Sequence, residues 1–193
     1  VSVTIKMVPR HLEKRAQRYK KDVLKDAKRF NVLASHVLGT IQTESYFNPL
    51  AISHVPAYGL MQIVPSSGGK DAYHALTGKK RLLPPPYLYN AKNNIELGTK
   101  YIQIIKERYL AGITNKESLF YCTATSYNAG IGTLIKSFTG SYKKRKEAIR
   151  IINSMTPDEV YNHLRTSKRL TKEAKNYVKK LRNYSKNYLK WDL

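Results

Sequence analysis

Apolar residues recur at steps of three or four along much of this chain. Between residues 12 and 30, Leu12, Ala16, Tyr19, Val23, Ala27 and Phe30 keep that spacing, with Lys and Arg between them, the pattern of an amphipathic helix. Asn31 is a capping residue type and predicts a second helix to about Ser45, with Leu33, Val37, Thr40 and Ile41 on one stripe. The period is lost from Asn48 to about Asn93, where most of the prolines fall, among them Pro84-Pro85-Pro86. So long an irregular stretch in a compact domain is usually functional or partly structured. Helical spacing returns with Ile95, Gly98, Ile102, Ile105 and Tyr109, for which Gly112 is a plausible stop, and again over roughly 117 to 129. "TPDEVYNHL" is a strong helix start: Thr156 as N-cap, Pro157 at the first helical position and Glu159 closing a capping box. A last helix places Leu170, Ala174, Tyr177, Leu181, Tyr184 and Tyr188 on one seam. No repeat, low-complexity tract or interdomain linker interrupts this order. The pattern predicts a mainly α protein, one domain over residues 1–193.

Charge adds a constraint that periodicity does not. The chain carries 35 Lys and Arg against 13 Asp and Glu, a net charge of +22. Such an excess fits an anionic partner, whether nucleic acid, lipid surface or cell-wall polymer, or else a solvated surface that favours solubility. The basic residues are spread over several helical segments, so charge alone does not choose. The single cysteine, Cys122, excludes an internal disulfide and sits in an apolar helical stretch as a small core residue. No run approaches the ~18 apolar residues of a membrane span. The opening "VSVTIKMVPRH" has no initiator Met and no secretion signal, and reads as the start of a fragment or processed form.

Few chemistries fit the motifs. HExxH, paired-Cys and EF-hand patterns are missing, so no metal site or cofactor is expected. Gly68-Gly69-Lys70 is followed by Asp71 and lacks phosphate-loop spacing, and Gly130-Ile131-Gly132 follows a helix, not a strand. His36, His54, His74 and His163 have no ligand spacing and read as core or surface residues. Glu44 is different. It is the next member of the apolar stripe on the second helix, near that helix's C-terminus. Desolvation and the negative end of the helix dipole both raise the pKa of a carboxyl placed there, which is what a general acid needs near neutral pH. The alternative is an end-of-helix glutamate that turns outward or pairs with an arginine.

Several short blocks become specific as a group. "ESYFNP" at 44 to 49, "YGLMQIVP" at 58 to 65, "SYNAG" at 126 to 130 and Glu173 followed by Tyr177 in "TKEAKNYV" resemble, in order and spacing, the signature blocks of lysozyme-like lytic transglycosylases. "VTIKMVPRHLEKRA" and "SSGGKDAY" are similar to the membrane-bound murein transglycosylase C group of Gram-negative bacteria. The resemblance implies a lysozyme-like helical core over 31–193, behind an extension and helix at 1–30, excised from a longer precursor. It also implies a peptidoglycan substrate cut at the β-1,4 bond between N-acetylmuramic acid and N-acetylglucosamine, and no nucleic-acid partner. The implied location is the periplasm, with membrane attachment to the outer membrane only through a missing lipoprotein anchor. Glu44 is the implied acid and then base, closing a 1,6-anhydro ring without water as nucleophile. Ordinary glycosidases need a second carboxylate. Asp71 in the loop region, Glu96 in a first helical turn and Glu173 are the candidates, and none is favoured as a nucleophile.

The other positions carry over one at a time. Ser53 and Gln62 match positions that hydrogen-bond near the cleaved linkage, and Tyr127 and Asn128 match the block lining the cleft. Ser45 either satisfies backbone at the helix end or meets substrate. Gly59 permits close backbone approach, and Met61, like Leu60, reads as packing. Tyr177 matches a tyrosine close to the acid and also fits the apolar seam of the last helix. Glu173 either binds substrate or favours a helix N-terminus. Ser126 stands where the family usually has alanine, and Val64 where some relatives have methionine. A lysozyme-type hydrolase, a non-catalytic binder of nucleic acid or lipopolysaccharide, and an inactive wall-binding scaffold are the competing readings.

Overall fold

The computed structural model describes residues 11–192. Helix α1 covers His11–Arg29 and buries Ala16, Val23 and Ala27, with Leu12 and Tyr19 packed at its margin, as the spacing predicts. Helix α2 covers Ala34–Ser45 and is buried almost all round over Ala34–Gln42. Its N-cap is Leu33, not Asn31. Asn31 instead takes a left-handed turn (φ 51°), a conformation its short polar side chain tolerates, and Leu33 is 56% exposed, outside the buried stripe. The amide of Ser35 is met from the far end of the chain, where Asp192 Oδ1 accepts its hydrogen at 2.7 Å.

The stretch from Asn48 to Asn93 is partly helical. After two isolated antiparallel bridges, Ile52 to Tyr58 and Tyr58 to Ile63, a π-helical turn Pro65–Gly69 leads into α3, Lys70–Thr77. The triple proline starts a helix: Pro84 is the N-cap and the other two occupy the opening turn of α4, Pro85–Tyr89, where a missing N–H costs nothing. Helix α5, Ala91–Ile104, is capped by Asn90 and continues as a π-helical turn Ile105–Tyr109. Glu96 therefore lies in the second turn of α5, correcting the first-turn expectation, and is ion-paired with Arg29.

Helix α6, Lys116–Ala129, ends at Gly130 and buries Cys122. Two short helices follow that periodicity did not predict, α7 (Ile131–Thr139) and α8 (Arg145–Asn153); neither has a side-chain N-cap. Helix α9, Pro157–Thr166, opens with the capping box between Thr156 and Glu159. Helix α10, Lys172–Ser185, runs into a 3-10 turn Lys186–Trp191, so Leu170 and Tyr188 are buried from outside the helix proper.

Two apolar clusters organise these elements. One joins α1, α2, the 47–63 stretch, α3 to α5 and the C-terminal turn; the other joins α6 to α10. Helices α2 and α10 lock the two together at a close crossing. A Cβ on Gly39 would lie 2.3 Å from Ser185 Oγ and 3.0 Å from Leu181 Cδ1, so α10 could not approach this near over any larger residue. Tyr101 and Tyr127 pack against both clusters.

Candidate active site

Glu44 stands in the last turn of α2, just before the helix ends at Tyr46 in a left-handed conformation (φ 50°) that Phe47 repeats (φ 65°). Consecutive left-handed non-glycine residues store strain, and here they turn the chain sharply away below the carboxyl. Glu44 Oε1 accepts the hydroxyl of Tyr177, on α10, at 2.7 Å. The side chain is only partly exposed. Burial pushes its pKa from 4.5 up to about 7; the Tyr177 bond pulls it down, and the charge of Glu173 adds to the rise. Tyr177 is buried, and burial together with the Glu44 charge pushes its phenol up, so it stays a donor. Burial and the Glu44 charge also raise the Tyr127 phenol.

The facing wall is the loop from Ala51 to Ile63. Ser45 Oγ donates to Leu60 O at 2.8 Å and also lies 3.1 Å from Ile41 O, tying the end of α2 to this loop. Tyr127 reaches across from α6 and donates its hydroxyl to Met61 O at 2.8 Å. Gln62 is left-handed (φ 47°), and its Nε2 donates to Ala51 O at 3.0 Å and Gly59 O at 2.9 Å. Both amide protons are thus held by the loop, which leaves Oε1 as the acceptor open to a ligand. Ser53 is exposed; its hydroxyl meets Val55 O within the turn and its N–H donates to Ala57 O at 3.2 Å. Gly59 is needed twice over: its φ is +77°, and a Cβ there would lie 2.4 Å from Asn94 Nδ2 and 2.5 Å from Leu88 O.

Asn94 is the residue that sequence reasoning missed. It is fully buried on α5 and holds the wall by three hydrogen bonds: Nδ2 to Tyr58 O (2.8 Å) and Leu88 O (2.7 Å), and Oδ1 from Met61 N (2.7 Å). Asn94 precedes Gly98 and Ile102 at steps of four, so a polar member of a buried row was legible there, the same signal that marks Glu44.

The remaining positions divide between near and far. Asn128 Nδ2 donates to Glu173 Oε1 at 3.2 Å, joining the end of α6 to the first turn of α10 beside Glu44. Met61 is fully buried as packing. Glu96 is held by Arg29, and Asp71 stands in the first turn of α3. His36 packs edge-on to Phe120 and burial drives its pKa down to about 3; His163 stacks on Phe138. No three His, Cys, Asp or Glu among the described residues form a group that could hold a metal. A cavity of about 800 Å³ lies between α1, the start of α2 and α6; Leu24, His36 and Phe120 are among its lining residues, and Glu44, Gln62, Tyr127 and Tyr177 are not.

A half-buried carboxyl with its pKa raised to about 7 and a tyrosine donor at 2.7 Å has the properties a general acid needs. The chain matches the transglycosylase SLT domain over residues 22–150 and belongs to that family. Among curated relatives it is 42% identical to the membrane-bound lytic murein transglycosylase C of Pectobacterium atrosepticum over 187 residues, and 41% identical to that of Sodalis glossinidius. Each alignment covers 97% of this chain and 51% of the relative, so the chain spans about half the length of these proteins. Among solved structures, the 70 kDa soluble lytic transglycosylase of Escherichia coli superposes with a TM-score of 0.62 at 20% identity, over 93% of this chain and 24% of that one. The lytic transglycosylase Slt of Pseudomonas aeruginosa gives 0.61 at 21%, over 88% and 24%. The lysozyme-like helical fold is shared.

Proposed function

We propose that this chain is a peptidoglycan lytic transglycosylase with Glu44 as its single acid and base. The observation that carries the reading is the Glu44 carboxyl, raised to about 7 by burial and held by Tyr177 at 2.7 Å. A carboxyl with that pKa is substantially protonated at neutral pH and ready to donate, while its carboxylate remains accessible for the second step. Protonated Glu44 gives its proton to the glycosidic oxygen as the bond to C1 of N-acetylmuramic acid breaks. The N-acetyl group of the same sugar stabilises the positive centre, so no second carboxylate is required. The C6 hydroxyl then attacks C1, its proton returns to Glu44, and a 1,6-anhydro ring closes with no water consumed. Tyr177 O–H steadies the carboxylate between the two transfers.

The wall loop fits the rest of the task. Gln62 Oε1 accepts from the acetamido N–H near the cut bond, with Ser53 further along the same loop. Tyr127 gives a flat apolar edge for a sugar ring, although its hydroxyl is committed to Met61 O. Asn128 and Glu173 bind the strand beyond it as a linked pair. Ser45 and Gly59 support the loop without touching substrate. Among the described residues no helix is long and apolar enough to cross a membrane. With relatives named as membrane-bound, we place the enzyme in the periplasm, tethered to the outer membrane by a lipoprotein segment outside this chain.

Mass spectrometry of fragments released from purified sacculi tests the reading. Muropeptides one water lighter than hydrolytic products, lost with Glu44→Gln, are expected. Products with full reducing ends, lost in the same variant, would make the enzyme a lysozyme-type hydrolase instead.

A further inference from the structure

The excess positive charge is not evenly answered by acids. From Ser118 to Pro157 the only acidic residue is Glu147, and from Val160 to Asn187 the only one is Glu173. Three cations from these stretches, Lys136, Lys143 and Arg169, have no carboxylate within 4 Å among the described residues; Glu147 is taken by Lys144. The fold brings them together. A Cβ on Gly140, at the end of α7, would lie 3.7 Å from Arg169 Nη2, while Phe138 stacks on His163 and binds α7 to α9.

An aromatic ring stands in the middle of this patch. Tyr142 is 58% exposed, yet its ring is held in place: Lys136 Nζ lies 4.6 Å from its centroid and donates to its hydroxyl at 3.2 Å. The inner edge rests on the first turn of α7, where a Cβ on Gly132 would be 3.2 Å from Tyr142 Cδ1. Gly132 follows Asn128 by four residues, and Arg169 precedes Glu173 by four. Both chain segments that leave the Asn128–Glu173 pair therefore lead into the patch.

We propose that Tyr142, Lys136, Lys143 and Arg169 form an outlying substrate station for the carboxylate-bearing peptide arms of the glycan strand. The station rests on the proposed reaction and extends it: the cleft holds the sugars around the cut bond, and the cations hold the anionic arm of a sugar beyond. Capture of a free carboxylate by Lys136 or Arg169 replaces the hydration of an unpaired cation, and the Tyr142 face packs on the arm's aliphatic part. The bland role for these cations, complementing the C-terminal dipole of α7, explains Arg169 but not the exposed ring pinned by Lys136.

The test measures binding of the full chain to purified sacculi, native or with carboxyl groups capped by ethanolamine. Lys136→Glu, Lys143→Glu and Arg169→Glu combined should weaken binding to native sacculi by about tenfold or more. A matched triple on α1, Lys14→Glu, Arg18→Glu and Lys21→Glu, changes net charge equally and should cost no more than about twofold. Capped sacculi should bind wild type as weakly as native sacculi bind the first triple, and should not distinguish the two. Tyr142→Ala, a single exposed side chain whose loss leaves the core untouched, should weaken native binding about threefold, less than 1 kcal/mol. Equal losses from both triples would reduce the effect to net charge and overturn the station, as would an undiminished loss on capped sacculi or wild-type binding by Tyr142→Ala. Products released by the same wild-type preparation are scored separately. Anhydro products with no effect of the first triple sink the station alone; the predicted binding differences without anhydro products sink the reaction alone.

Discussion

Two adjacent helices each turn a carboxyl toward the protein interior, and the two have different surroundings. Asp26 on α1 is 2% exposed; burial raises its pKa from 3.8 to about 6, and among the described residues Oδ1 has no hydrogen-bond partner, with Lys25 Nζ no nearer than 4.0 Å. Glu44 on α2 is raised by the same cause to about 7, but it stays partly exposed, takes the Tyr177 hydroxyl at 2.7 Å, and is tied through Ser45 to a loop pinned by Tyr127 and Asn94. A raised pKa therefore does not identify an acid catalyst. What separates the pair is access, a donor that steadies the charged form, and a wall that can position a substrate.

The comparison is broken most directly by neutralising each carboxyl in turn. Glu44→Gln should lower release of soluble fragments from sacculi by about 10³-fold, since it removes both proton transfers, while Asp26→Asn should leave it within about twofold. Equal losses would mean that burial, not the site, sets the requirement. Tyr177→Phe comes next. It deletes the Tyr177 bond that favours the charged form of Glu44, so the Glu44 pKa should rise further and the optimum of the pH–rate profile should move to higher pH by up to about one unit, with about a 10-fold lower rate. A loss of rate at an unmoved optimum would reduce Tyr177 to packing.

Smaller effects sharpen the contrast in stability. Asn94→Ala strips Met61 N and Leu88 O of the partner Asn94 gives them, leaves Tyr58 O with the Ile63 N–H alone, and should cost about 2–4 kcal/mol, read as a fall in Tm of roughly 5–15 °C. The two raised carboxyls make a final pair. A carboxyl with a raised folded pKa costs nothing below its unfolded value; the penalty grows as pH rises through the window and is complete above the folded pKa. For Glu44 that window runs from 4.5 to about 7, and for Asp26 from 3.8 to about 6. Glu44→Gln and Asp26→Asn should each raise Tm at pH 8 relative to pH 4 by a few degrees, with the Glu44 change still developing between pH 6 and 7 where the Asp26 change is complete. Thermal unfolding of both variants across pH 4 to 8 reads this directly.

How far all this was legible in the sequence depended on where the signal resided. Burial periodicity carried α1 and α10 and placed Glu44 on an inward face, because long helices repeat their apolar face often enough to be seen. The capping box of α9 is local chemistry and came through intact. Short elements did not: α7 and α8 have nine residues each and no side-chain N-cap, and the prolines of α4 read as a breaker although they start a helix. Asn31 has the composition of a cap but lies in a left-handed turn, and Leu33 takes the position because α2 is fixed by tertiary burial and by Asp192, 157 residues away. Long-range bonds of that kind, with Asn94 and Tyr127 on the wall loop, leave little local trace. The pairing of Glu44 with Tyr177, 133 residues apart, came from resemblance of blocks and not from any local rule.

Burial beside Tyr177 and Glu173 is what keeps Glu44 substantially protonated near neutral pH. This is tested by following the Glu44 side-chain carboxyl by 13C NMR as a function of pH, assigned by its absence in Glu44→Gln. A midpoint near 7, moving upward in Tyr177→Phe, is the predicted result. A midpoint near the ordinary glutamate value of 4.5, unmoved by Tyr177→Phe, would contradict it.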